Sequence, residues 1–121
     1  QFSSSYDLTH GLGLAIIMPK WMKYLLDRDD SVADDFARFG VNVMNVDDGN
    51  DKKAVAYKTI EALQTFIKNE LGLPVYLSEI GIDDSKFDEM KVKACYGKDS
   101  LPLAYRPLTQ EDCLNIYKMC L

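Results

Sequence analysis

At 121 residues, 47% of them hydrophobic, the chain is long enough for one domain with its own core and too short for two ordinary ones. A charged fraction of 27% and a net charge of −5 argue against DNA or RNA as a partner, since nucleic acid demands clustered Lys and Arg. The apolar run over 12–18, ended by Pro19 and Lys20, falls far short of the about 20 residues a membrane span needs. No basic region precedes it, so it does not read as a signal peptide. Cys95, Cys113 and Cys120 are odd in number and lack the paired spacing of a zinc site, which argues against a disulfide framework and for a reducing, cytoplasmic compartment.

Nearly all periodic segments favour helical spacing over strict alternation, which predicts an all-α, multi-helix domain. The opening, Gln1 rather than Met and then three serines before the apolar run, reads as a cut; a tag scar or a processed terminus explains the same residues. The first helix is expected from Thr9 or His10 toward Leu26, with Leu14, Ile17, Met18, Trp21 and Leu25 on its inward face and a bend at Pro19, which lacks an N–H and clashes with the preceding turn. Asp29, Asp30 and Ser31 offer caps for a second helix through Val32, Phe36, Phe39 and Val43, weakened at Gly40. After the polar turn at 47–50, Ala56, Ile60, Leu63, Ile67 and Leu71 make the stripe of a third, ended by Gly72-Leu73-Pro74. An extended connector over 75–77 leads to a helix from about Asp84 to Cys95, closed by Gly97. A loop with Pro102 and Pro107 follows, and the last helix starts at Thr109, with Asp112 completing a capping-box-like pattern and Leu114, Tyr117 and Leu121 facing inward.

His10 is the one histidine, and it stands at the mouth of the apolar first helix. A lone histidine is ordinarily structural or solvated. Two features favour a ligand. The helix N-terminus carries partial positive charge, which disfavours the imidazolium and favours the neutral ring a metal needs. Gly11 and Gly13 strip side chains from the turn, allowing either a bulky ligand or a closely packed helix.

The stretch YDLTHGLGLAIIMPKWMKYLL, over 6–26, resembles the metal-ligand segment of the iron-containing (group III) alcohol dehydrogenases, in the style of their butanol-dehydrogenase-like branch. The likeness continues through LGLP at 71–74 and PLTQED at 107–112, so it covers essentially the whole chain in order. It implies that residues 1–121 are the C-terminal helical, metal-side domain of a two-domain enzyme that interconverts an alcohol and an aldehyde or ketone. Its N-terminal domain would bind NAD or NADP. A divalent iron, in some members zinc, would sit on one Asp and three His, of which His10 matches the last. The other ligands and the Gly-rich phosphate loop are expected upstream of Gln1, so this chain holds no catalytic or cofactor-binding residue of its own and is expected to be inactive alone. Its expected partners are a small alcohol or aldehyde in the parent enzyme, its own N-terminal domain and, through the apolar surface so exposed, a second copy of itself.

The turn Asp47-Asp48-Gly49-Asn50-Asp51 fails as a calcium loop, because Gly falls third instead of sixth and Lys58 takes the place of the twelfth-position Glu. The pairs Asp29/Asp30, Asp34/Asp35 and Asp83/Asp84 sit at helix starts, where capping explains them. Trp21, Met22 and Tyr24 could line a substrate channel, but such a stripe is more often core. The rival to an enzyme domain is a stand-alone helical interaction module, whose first helix only packs against a partner.

Overall fold

In a computed structural model of the chain, residues 10–94, 100–101 and 105–121 are described. They are mostly helical, as the spacing predicts. Helix α1 (His10–Arg28) is followed by a 3-10 turn (Asp30–Val32), α2 (Ala33–Val43), α3 (Lys52–Thr65), a second 3-10 turn (Leu77–Ile80), α4 (Phe87–Ala94) and α5 (Gln110–Met119). Two residues of β1 (Ser100–Leu101) lie antiparallel to β2 (Leu108–Thr109). Cys95, Gly97 and Pro102, to which a helix end and a loop were assigned, lie outside the described residues.

Helix α1 forms the spine, packing against α3 on one side and α5 on the other. It continues through Pro19, whose ring is fully buried. Its inward face is rotated from the expected one. Ile16, Lys20, Met22, Tyr24, Leu25 and Leu26 are buried, while Leu14 and Met18 remain 44% and 42% exposed and Ile17 and Trp21 are half-buried. Residues 12–18 are apolar all round the helix, so periodicity alone selects no face there. The burial of Met22 and Tyr24 bears out their reading as core.

Some of the carboxylates near helix starts cap as expected, but Asp34 and Asp35 do not: α2 has Val32 at its cap with no side-chain bond, and both lie inside its first turn. Asp29 accepts from the backbone N–H of Ser31 at 2.9 Å, and Asp51 accepts from that of Ala54 at 3.2 Å, satisfying donors that have no intrahelical partner. Asp83 accepts from the N–H of Ser85. At the last helix the hydroxyl of Thr109 accepts from the N–H of Asp112, and the Asp112 carboxylate accepts from the N–H of Thr109, completing the expected capping box. In the polar turn, Asp48 pairs with Lys52 at 2.6 Å and accepts from the Gly49 N–H.

Gly40 does more than weaken α2. It is buried where α2 crosses α3, and a Cβ built on it would lie 1.8 Å from Thr59 Oγ1. Thr59 is itself fully buried and donates its hydroxyl to the carbonyl of Val55. Only a residue without a side chain lets the two backbones approach this closely.

Helix α3 does not simply stop at Gly72. Over Phe66–Glu70 it widens into a π-turn, in which the Leu71 N–H donates to the carbonyl of Phe66. Gly72 then takes the left-handed conformation at φ 65°, and Leu73 packs back on the core. The wider turn explains a missed position: Ile67 stays buried, but Leu71 is rotated out of the stripe and is exposed, as an inserted residue dictates. Phe39, Val43 and Leu121, also expected inside, are exposed. Val43 ends α2 and Leu121 ends the chain, so both stripes run past the core. Tyr76 is extended as expected, but Leu77 opens the 3-10 turn and is fully buried. The helix expected from Asp84 begins at Phe87, where Phe87 packs its ring 5.7 Å from that of Tyr117.

Candidate functional site

His10, the expected metal ligand, is the first residue of α1. Gly13, one turn further on, is buried. Among the described residues no group of three or more His, Cys, Asp or Glu is arranged to hold a metal ion. A catalytic metal needs about three protein ligands and an open position.

The helix that carries His10 is locked at its other end. The Tyr24 hydroxyl donates to Asp112 Oδ1 at 2.6 Å, the Arg28 guanidinium stacks 3.6 Å from the Tyr24 ring centre, and Asn115 donates to the Tyr24 oxygen at 3.4 Å. Burial opposes the charge on Asp112, yet the bonds from Tyr24 and Thr109 hold its carboxyl below the usual value. The same residue thus caps α5 and ties it to α1. Burial, with the neighbouring Asp112 carboxylate, pushes the Tyr24 phenol up, so it stays a donor.

Removing this hydroxyl in Tyr24→Phe is expected to cost about 1–2 kcal/mol at neutral pH. The contribution of a carboxyl held low when folded is complete above the unfolded value of about 3.9 and is lost as pH falls through the folded one. Thermal melts of the two proteins should therefore differ at pH 7 and converge in acid; a constant difference would assign the loss to packing alone.

A second polar cluster braces the corner between α1 and α2. Arg106 donates to Asp29 at 3.2 Å and to the Ser31 hydroxyl at 3.2 Å, and the Tyr105 hydroxyl donates to Asp35. The rings of Trp21, Phe36 and Tyr105 lie 6.0–6.3 Å apart in one group, so the half-buried Trp21 is committed to packing. Cys113 and Cys120 are buried free thiols, and burial pushes the Cys120 thiol up to about 12. Neither is poised as a nucleophile.

Sequence reasoning missed the buried Lys20, at 5% exposure. Its signal was available: it stands four residues after Ile16 and four before Tyr24, on the face both bury. No helix among the described residues is long and apolar enough to cross a membrane.

The whole chain, residues 1–121, matches the model of the Fe-containing alcohol dehydrogenase family, C-terminal. It is 36% identical over 118 residues to NADH-dependent butanol dehydrogenase A of Clostridium acetobutylicum and 35% identical over 124 residues to NADH-dependent butanol dehydrogenase B of the same organism. A probable NADH-dependent butanol dehydrogenase 1 of Bacillus subtilis is 31% identical over 124 residues. Each comparison covers 98% of this chain and 30% of the relative, so the chain spans about 30% of the length of the curated relatives it matches. Its helical architecture, its order of motifs and its match from end to end make this chain a member of the Fe-containing alcohol dehydrogenase family, in that family's C-terminal part.

Proposed function

We propose that these residues are the metal-side helical domain of an NADH-dependent dehydrogenase that interconverts a short-chain alcohol and its aldehyde. The observation that carries this is the end-to-end family match, and the names of the relatives supply the cofactor and the alcohol class. His10 would hold a divalent iron, with zinc as the alternative occupant, together with one Asp and two His from the part of the parent protein preceding Gln1. When bound, such a metal supplies Lewis-acid polarisation of the substrate oxygen, and the nicotinamide exchanges the hydride.

The chain's own residues hold the helix that presents His10. Lys20, Tyr24 and the buried apolar face of α1 fix that helix against α3 and α5. The exposed Leu14 and Met18, four and eight residues after His10, offer apolar surface for the N-terminal, nucleotide-binding domain to cover. One imidazole does not retain a metal against water, so residues 1–121 alone would be inactive and would self-associate through the uncovered surface. The buried free thiols fit a reducing, cytoplasmic setting.

The intact protein that carries this chain is expected to oxidise NADH when butanal is added, to lose that activity on chelation, and to regain it with ferrous iron. Turnover indifferent to a chelator that strips the metal would overturn the proposal.

A further inference from the structure

A groove of about 750 Å³ opens between α1, α3 and the connector before the second 3-10 turn. Its charged lining is Lys20, Lys23 and Lys68 against Glu61, and the rings of Tyr57 and Tyr76 also face it. Three ammonium groups to one carboxylate stand out in a chain of net charge −5. The volume is that of a small-molecule site.

Lys20 is the unusual member. A charge this deeply buried is ordinarily paired with an opposite one. Lys20 donates to the carbonyl of Val75 and lies 4.3 Å from the centre of the Tyr76 ring, but no carboxylate forms an ion pair with it among the described residues. The nearest opposite charge is Glu79, which attracts both Lys20 and Lys68 from a distance; its Oε2 accepts from the backbone N–H groups of Val75 and Tyr76, at 2.8 Å each, and it forms no ion pair with either ammonium among the described residues. Cys120 is kept as a neutral thiol by burial. Of the other two lysines, Lys23 pairs with Asp27 at 3.0 Å, whereas Lys68 has no ion-pair partner among the described residues.

We infer that this groove is a binding site for a small organic anion, whose phosphate or carboxylate group pairs with Lys20 and Lys68 while its body rests between the rings of Tyr57 and Tyr76. Nothing in the inference depends on a metal at His10. Lys20 supplies the desolvated charge, which is worth most where water is excluded. Lys68, at the rim, supplies the exposed one. The tyrosine rings offer flat apolar walls.

Calorimetric titration of the intact protein at low ionic strength tests this, with inorganic phosphate and malonate as probes and chloride as the control. Saturable binding of at least one probe, with a rise in melting temperature, is expected, and the tighter of the two identifies the anionic group. Lys68→Gln should weaken binding about tenfold, the loss of one charge-assisted hydrogen bond. Lys20→Met, which keeps the buried stem and removes the charge, should abolish binding; its own melting temperature reads the separate loss of the bond to the Val75 carbonyl. If Lys20→Met does not fold, the exposed Lys68→Gln decides alone. Binding of neither probe above chloride, or undiminished binding by Lys68→Gln, would mean an adventitious ion only and overturn the inference.

Discussion

Changing His10 to alanine in the intact protein is expected to strip the metal and reduce dehydrogenase turnover by on the order of 10³-fold or more, the several kcal/mol that a Lewis acid contributes to such a transition state. The position explains why the loss should be local. His10 is the first residue of α1, where a side chain contributes little to the helix itself, and the described packing that holds α1 comes from Leu12, Gly13, Ile16 and residues after them. The variant should therefore melt like the parent once both are metal-free. Metal analysis separates the outcomes: a His10→Ala protein that keeps its iron and its activity would make His10 structural, whatever the rest of the enzyme does. NADH binding, if measured separately, should be unaffected, because the nucleotide is assigned to another domain.

Gly40→Ala should produce the largest loss of stability of any single methyl addition in the described core. Helix propensity alone favours the change by about 1 kcal/mol. Against that, the new Cβ would stand 1.8 Å from Thr59 Oγ1 and 2.8 Å from Thr59 Cβ. Thr59 has no room to turn away, being fully buried with its hydroxyl committed to Val55. The α2 and α3 backbones must separate, and overpacking of this kind costs about 1–3 kcal/mol net, a fall in melting temperature of roughly 4–8 °C per kcal/mol in a small domain. Thr59→Ala removes the nearest atom, so the double variant should lose less than the two single changes summed. Strict additivity would show that the residues do not meet.

These expectations also mark where the sequence could be read and where it could not. Caps were legible because they are local: Thr109 and Asp112 are three residues apart, and Asp29 and Ser31 two. The stop at Gly72 was legible for the same reason. The inward face of α1 was not, since apolar residues surround its first half and only the arrival of α3 and α5 selects the side that holds Ile16 and Lys20. Gly40 and Thr59 are far apart along the chain, so a glycine that permits a crossing looked like one that merely weakens a helix. The π-turn at Phe66–Glu70 inserts a residue that no stripe announces. The site was partly legible: His10 and its family resemblance stand in one continuous segment, the other ligands are only proposed, and Lys20 passed unnoticed as an ordinary charge.

Tyr24 and Asp112 join the first described helix to the last across 88 positions of chain, and the C-terminal residues are tied in as well, with Leu77 donating to the carbonyl of Cys120 and Ser78 to that of Leu121. The fold is thus fastened near its end in the manner of a clasp. Losing the contacts at Cys120 and Leu121 would loosen α5, then its hold on Tyr24, and so α1 itself, which makes two residues at one end of the sequence remote guardians of the helix that starts at His10.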